Sequence, residues 1–200
     1  MTKGLLIVIS GASGTGKGTV CKKLFELMPE MYYSISATTR KPRQGETDGV
    51  EYFFLTTEEF QEKISAGQFL EYAEVYGNFY GTPLYKIEEH LNLGKNVLLE
   101  IDTQGALNVM KKVPEGVFIF LLPPSIEELY SRVKNRGTES AETLERRFKA
   151  ATSEINVGKK YQYVVVNDSV DKAVEKIQAI ILAESCKVER NEKIFSELLM

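Results

Sequence analysis

Nine consecutive residues near the N-terminus, G-A-S-G-T-G-K-G-T, have the composition of a phosphate-binding loop. Glycines let successive backbone N–H groups point inward around a phosphate, and the N-terminus of a following helix adds partial positive charge. Lys17 adds a mobile cation for the outer phosphates. The stretch predicts a nucleoside triphosphate site. Its residues are Gly11, Ala12, Ser13, Gly14, Thr15, Gly16, Lys17, Gly18 and Thr19.

Two carboxylates, Glu100 and Asp102, end the apolar run V-L-L-E-I-D. Ligands of open α/β sheets bind at the carboxyl ends of strands, so these groups should face the same crevice as the loop. There they could hold Mg²⁺ directly or through water. Gly18 stands where a Ser or Thr ligand usually follows the lysine, so either Thr19 supplies that hydroxyl or the metal binds mostly to phosphates and water. Acids that end a strand are also frequent helix caps, and this alternative stays open.

These groups need a scaffold, and the apolar pattern of the chain indicates one. Apolar runs at 5–9, 97–101, 117–122 and 163–166 are typical of strands buried on both faces, and a helical pattern follows the runs. Alternating strands and helices predict an α/β fold, a parallel sheet flanked by helices. Val20, Leu24, Leu27 and Met28 should form the buried face of the first helix.

Two irregular stretches interrupt this alternation, at about 34–90 and about 137–157. The first is rich in aromatic residues and predicts a small, partly antiparallel lobe with a helix that starts at a Thr56–Glu59 capping box. The second is charged and helix-forming. A Ser125–Glu128 pair predicts another helix start. Residues 188–200 either extend the last helix or dock separately, and the sequence leaves both open.

Composition narrows the classes of protein. The chain has 200 residues, 43% of them hydrophobic, and a formal charge of −3, which favours one globular domain with no global attraction to nucleic acid or to a membrane surface. Its two cysteines, Cys21 and Cys186, are far apart and suggest neither a disulfide framework nor a zinc site. The N-terminal apolar run is too short for a signal peptide or a membrane span. We therefore expect a soluble cytoplasmic protein.

Several further motifs resemble the guanylate kinase family. They are S-I-S-A-T-T-R-K-P-R, G-V-E-Y-F-F, F-L-E-Y-A, G-N-F-Y-G-T, L-L-E-I-D-T-Q-G, L-P-P-S and V-V-V-N-D, together with the glycine-rich loop. The resemblance covers about residues 4–187. It implies a P-loop kinase fold with an inserted nucleoside-monophosphate-binding lobe and a helical lid. It also implies transfer of the γ-phosphoryl group of ATP to GMP with Mg²⁺, in purine nucleotide metabolism, with dGMP as a further acceptor.

The same resemblance implies a set of GMP-binding residues. Arg40 and Arg43 would bind the GMP phosphate with two phenols, Tyr52 and Tyr80, and Glu71 would read guanine. A carboxylate accepts from both the N1–H and the N2–H₂ donors of guanine, whereas adenine would leave it unpaired. The implied set is Ser36, Arg40, Arg43, Tyr52, Glu71, Tyr80, Thr82 and Asp102. Thr82 stands where many members of the family carry Ser.

On the ATP side, Arg132 and Arg136 match arginines that reach the transferring phosphate, and Arg147 matches one in the lid. Asn167 matches an adenine-side position. The catalytic set implied is thus Lys17, Arg40, Arg43, Arg132, Arg136 and Arg147. The acceptor phosphate is itself a dianion at neutral pH, so direct in-line transfer requires no general base. Accordingly, His90, the single histidine, is expected to have no catalytic role.

The resemblance divides the single domain into a core of about 1–33, 91–136 and 158–187, a GMP-binding insertion of 34–90, a lid of 137–157 and a tail of 188–200. Two alternatives remain. One is a related kinase with a different acceptor, and the other is a non-catalytic module that binds partner peptides. Turnover of ATP with GMP separates them. The oligomeric state, including a homo-oligomer, stays open.

Overall fold

The computed structural model describes residues 2–75, 77–134, 149 and 152–199. The strands are β1 (Leu6–Gly11), β2 (Tyr32–Ser34), β3 (Ala37–Thr38), β4 (Phe53–Phe54), β5 (Phe69–Val75), β6 (Asn78–Pro83), β7 (Val97–Glu100), β8 (Val117–Leu122) and β9 (Tyr163–Val166). The helices are α1 (Lys17–Leu27), α2 (Thr57–Ser65), α3 (Leu84–Asn92), α4 (Thr103–Lys112), α5 (Ile126–Lys134), α6 (Val170–Ser185) and α7 (Val188–Leu198). Residues 152–157 are also helical.

The main sheet has the order β2-β7-β1-β8-β9, and all of its strand pairs are parallel. Its central strand β1 is wholly buried because its two faces pack against different helices. Ile7 and Ile9 pack with residues of α1 and α6, whereas Leu6 and Val8 pack with residues of α3 and α4. The predicted parallel sheet flanked by helices is confirmed.

The aromatic lobe forms a second sheet of order β4-β3-β6-β5, in which β6 runs antiparallel to both β3 and β5. Phe60 of α2 is fully buried and stacks on Phe69 and Phe79 with ring centroids 4.6 and 5.5 Å apart. The predicted Thr56–Glu59 capping box is present at the start of α2. The lobe is therefore partly antiparallel, as predicted.

The predicted buried face of α1 differs from the structure at Leu27. Leu27 is 52% exposed because α1 ends there, so its predicted place on the buried helix face is wrong.

The chain after α6 forms the separate helix α7, which starts at Val188 after a break at Cys186 and Lys187. No helix in the described part of the chain has the length and apolar composition needed to cross a membrane.

Candidate active site

The glycine-rich loop connects the end of β1 to the start of α1. Gly14 and Gly16 have φ angles of +90° and +88°, which a residue with a side chain rarely adopts. A Cβ atom at Gly16 would also lie 2.6 Å from Asn167 Nδ2. These glycines are therefore required for the turn that directs the backbone into α1.

Lys17 is the first residue of α1, and its ammonium group folds back onto the loop. Its Nζ donates to the carbonyl oxygens of Gly11 at 2.6 Å and Ala12 at 3.3 Å. Burial lowers the pKa of Lys17, while the negative charges of Glu100 and Glu154 oppose that shift. A half-buried cation that donates to backbone carbonyls is well suited to receive a phosphate anion.

Polar side chains from the C-terminal half of the chain support the loop from outside. Asn167, at the end of β9, donates to the Thr15 carbonyl at 2.8 Å, and Arg132 of α5 reaches the same oxygen at 3.4 Å. Arg132 Nε also donates to Glu128 at 2.8 Å. Asn167 is buried, and its hydrogen bond to the Thr15 carbonyl stabilises the loop. Its adenine-side role stays a prediction.

A cleft of about 240 Å³ lies between the loop and the second sheet. The predicted site residues that line it are Gly11, Ser13, Gly14, Gly16, Lys17, Gly18, Ser36, Arg43, Tyr52, Glu71, Tyr80, Glu100 and Asp102. The described members of the predicted set that do not line it are Ala12, Thr15, Thr19, Arg40, Thr82, Arg132 and Asn167. Arg136 and Arg147, with most of the predicted lid, lie outside the described residues.

The two strand-end carboxylates enter the cleft in different environments. Glu100 accepts from the Tyr33 hydroxyl at 2.6 Å, and its Oε1 would be 3.6 Å from a Cβ at Gly18. Asp102 caps α4, since its Oδ1 accepts from the backbone N–H groups of residues 104 and 105 at 2.8 and 3.0 Å. The helix-cap alternative is thus confirmed for Asp102, through one of its two oxygens.

Thr19, the third predicted metal ligand, is exposed in the first turn of α1. Within the described ranges, no cluster of three or more His, Cys, Asp or Glu side chains could hold a metal ion. Glu100 and Asp102 nevertheless supply hard oxygen ligands beside the loop, which is the chemistry that Mg²⁺ prefers when phosphates and water complete its shell. The donor set therefore fits a magnesium ion carried with a nucleotide.

Glu71 provides a buried carboxylate on the lobe side of the cleft, only 3% exposed. Thr82 Oγ1 donates to Glu71 Oε1 at 2.6 Å. Burial raises the pKa of Glu71 to about 7, against the opposing effect of that hydrogen bond. Gly105 of α4 makes room for this carboxylate, because a Cβ there would lie 2.6 Å from Glu71 Oε2. No pattern in the sequence indicates this role of Gly105.

Aromatic and basic groups adjoin the carboxylate. The rings of Tyr52 and Tyr80 meet edge to face with centroids 6.0 Å apart, and the Arg40 guanidinium lies 5.4 Å from the Tyr52 ring centroid. Burial raises the pKa of Tyr52 to about 12, so its hydroxyl stays protonated at neutral pH and can donate to an anion. The basic and phenolic groups can bind an anion, and the neighbouring carboxylate can accept hydrogen bonds from a nucleobase.

Two acidic residues outside the predicted set, Glu154 and Glu46, contact the residues of the site. Glu154 lines the cleft, and its Oε2 accepts from the Ser13 backbone N–H at 3.1 Å. Burial raises the pKa of Glu154. Glu46 pairs with Arg40 at 2.9 Å. Both lie in stretches rich in charged residues, where no sequence pattern distinguishes them from ordinary solvent-exposed Asp and Glu.

His90 lies in α3, where its ring stacks on Tyr32 with centroids 4.0 Å apart. It is not among the residues that line the cleft.

The parallel sheet, the strand-loop-helix turn and its lysine define an α/β protein of the P-loop kinase class. Comparison with known proteins narrows this class. The guanylate kinase family model matches residues 3–184. A guanylate kinase of Clostridium perfringens strain 13 is 60% identical over 188 residues, which are 94% of this chain and 87% of the relative.

A guanylate kinase of Caldanaerobacter subterraneus subsp. tengcongensis is 57% identical over 196 residues, 98% of this chain and 95% of the relative. The crystal structure of guanylate kinase from Anaplasma phagocytophilum matches with a TM-score of 0.82 and 37% identity, over 95% of this chain and 90% of that chain. This chain belongs to the guanylate kinase family.

Proposed function

We propose that this chain transfers the γ-phosphoryl group of ATP to GMP, which yields ADP and GDP. One observation carries the proposal: a phosphate-binding loop with Lys17 and a buried carboxylate, Glu71, line the same cleft. The first suits a triphosphate, and the second suits the donor edge of guanine. The names and high identities of the family members support the same reaction.

On the donor side, the loop N–H groups and Lys17 would bind the outer phosphates of ATP. Arg132 supports this assignment because its guanidinium already contacts the loop at Thr15. Arg136, Arg147 and Asn167 complete the proposed donor side by their family positions. Preorganised positive groups of this kind stabilise the charge of the transferring phosphoryl group.

On the acceptor side, Arg40, Arg43, Tyr52 and Tyr80 would bind the phosphate of GMP. The proposed guanine contacts are Glu71, Ser36, Thr82 and Asp102. Both sets concern the base and the phosphate rather than the 2′-hydroxyl, so dGMP is proposed as a second acceptor. The phosphate dianion attacks directly, and the protein's part is to position the reactants and neutralise charge.

Mg²⁺ would be held by Glu100 and Asp102, with Thr19 as a further proposed ligand. When bound with ATP it would neutralise phosphate charge. The chain's own residues orient these carboxylates, through the Tyr33 hydroxyl on Glu100 and through the α4 cap at Asp102.

We extend the proposal to the division of the chain. The core would comprise about 1–33, 91–136 and 158–187, the GMP lobe 34–90, the lid 137–157 and the tail 188–200. The strands of the second sheet support the lobe, since all of them fall between residues 37 and 83. Lid and lobe would close over the substrates to exclude water, which would otherwise hydrolyse ATP.

Coupled ADP release with MgATP tests the function against GMP, dGMP, AMP, CMP, UMP and dTMP. We expect strong release with GMP and little with AMP. The Lys17→Ala variant should lose turnover and still bind GMP. Preference for another acceptor would contradict the guanine assignment, and no release from any acceptor by folded protein would overturn the enzymatic function.

A further inference from the structure

Glu46 makes an end-on contact with the guanidinium of Arg40. Nη1 of Arg40 donates to Glu46 Oε2 at 3.0 Å, and Nη2 donates to Oε1 at 2.9 Å. The two side chains are only 14% and 16% exposed, so this pair is more shielded than an ordinary surface ion pair. Two parallel hydrogen bonds fix the plane of the guanidinium as well as its position.

The same carboxylate also fixes the backbone of the second arginine. Oε2 of Glu46 accepts from the Arg43 N–H at 2.7 Å, and the Glu46 N–H donates to the Arg43 carbonyl at 3.1 Å. Gly45 permits this tight turn with its φ of +87°. One side chain therefore joins the guanidinium of Arg40 to the backbone of Arg43.

The Arg40 guanidinium also contacts a backbone carbonyl and the Tyr80 side chain. Its Nη1 also donates to the Lys41 carbonyl at 2.7 Å, and the group lies against the rings of Tyr52 and Phe54 at 5.4 and 5.9 Å. The hydrogen bonds to Glu46 and Lys41 use the outer side of Nη1 and the end of the guanidinium between Nη1 and Nη2. The Nε–Nη2 edge is the second fork of a guanidinium, and it has the geometry to bind two oxygens of a phosphate.

We propose that Glu46 is a positioning residue for the phosphate of GMP, which acts by holding Arg40 and the Arg43 backbone in place before the nucleotide binds. The inference rests on the proposed function. The negative charge of Glu46 by itself would repel a phosphate dianion. Glu46 must therefore favour GMP binding by holding the Arg40 side chain in one conformation before the phosphate arrives. An unrestrained arginine loses side-chain entropy when it binds, and a pre-ordered one loses less.

The test compares Glu46→Ala, Arg40→Ala and the double variant with a matched control, Glu51→Ala. Glu51 also closes a turn of this lobe, since its Oε2 accepts from the Thr47 N–H at 2.7 Å, and it is exposed. We expect Glu46→Ala to raise the Kd and KM for GMP about tenfold. The KM for ATP and the weak binding of guanosine, which has no phosphate, should stay unchanged, as should all parameters of Glu51→Ala.

In the Arg40→Ala background, loss of Glu46 should cost much less than tenfold, because its main target is gone. An equal cost in both backgrounds would overturn the inference, as would an equal loss of guanosine binding. Glu46→Gln, which keeps the shape and one acceptor oxygen, provides the second variant if the alanine protein does not fold. It should raise the KM for GMP, and a lower KM would show that charge repulsion outweighs positioning. If Arg40→Ala itself leaves GMP binding unchanged, the proposed phosphate site fails instead.

Discussion

Thr82 and Glu71 lie directly opposite each other on the antiparallel strands β6 and β5, and the Thr82 hydroxyl donates to the Glu71 carboxylate at 2.6 Å. The pairing is set by strand register, so it exists before any ligand binds. It supplies a buried carboxylate with one fixed donor and leaves its remaining acceptor capacity for a ligand. In the proposed function, that ligand is the donor edge of guanine.

Thr82→Val should weaken GMP binding while it preserves shape. The variant removes a donor that opposes the effect of desolvation on Glu71, so the pKa of Glu71 should rise further and its side chain should be less well oriented. Hydrogen bonds to charged groups contribute about 1.5–3 kcal/mol, which predicts a rise of at least about tenfold in the KM for GMP. Steady-state kinetics check this, with the KM for ATP and the Thr82→Ser variant as controls that should stay near wild type.

GMP binding should release a proton near neutral pH. Glu71 has a pKa of about 7 in the free protein and is half protonated there, whereas guanine recognition uses the ionised form. We expect about half a proton released per GMP at pH 7, and almost none at pH 9. Calorimetric titration in two buffers of different ionisation enthalpy measures this number. Binding without proton release at pH 7 would show that the carboxyl is already ionised.

Glu71→Gln should stabilise the ligand-free protein at alkaline pH. The folded pKa of about 7 lies above the ordinary value of 4.5, so ionisation of Glu71 opposes folding. The wild-type free energy of unfolding should therefore fall as pH rises from about 4.5 to about 7 and then level off, by up to about 3 kcal/mol. Urea unfolding at pH 5 and pH 8.5 checks this. A variant advantage that is equal at both pH values would contradict it.

Glu154→Gln should strengthen ATP binding. The Glu154 carboxylate accepts from the Ser13 N–H of the loop, and its charge lies near Lys17. A polyphosphate competes with this carboxylate for the same positive groups. Removal of one negative charge should lower the KM for ATP by about two- to fivefold, corresponding to about 1 kcal/mol or less. The KM for GMP should not change, and a higher KM for ATP would mean that the carboxylate helps to bind the nucleotide.

The sequence predicted β1, β7 and β8 well because they are buried and read as apolar runs. Burial on both faces is wrong for β9, an edge strand whose Val164 and Val166 are 59% and 37% exposed. The other edge strand, β2, has no such run and was not predicted. Residues 117–122 and 163–166 coincide with β8 and β9. The loop was also predictable, since its closely spaced glycines and a lysine specify its backbone chemistry locally. Glu71, Arg40 and Arg43 came from a family resemblance rather than from any pattern that physics alone could interpret.

Other parts of the site depend on contacts between residues that are distant in sequence, so a local sequence pattern could not predict them. Gly105 matters because of a carboxylate on a strand over thirty residues away, and Glu154 because its helical segment packs on the loop. Asp168 and Ser169 both have side chains that can cap a helix, and the structure shows that Ser169 caps α6, since its side chain accepts from the Lys172 N–H. Neighbouring residues of similar chemistry compete for such positions, and small differences in backbone geometry decide between them.

The most direct measurement is the ratio of kcat/KM for GMP to that for AMP, in the wild type and in Glu71→Gln. The wild type should favour GMP by about 10⁴ or more, because adenine would leave the buried carboxylate unpaired. In Glu71→Gln this ratio should fall strongly because kcat/KM for GMP falls, while the KM for ATP stays unchanged. A ratio that survives in Glu71→Gln would contradict the central claim that this carboxylate selects the acceptor.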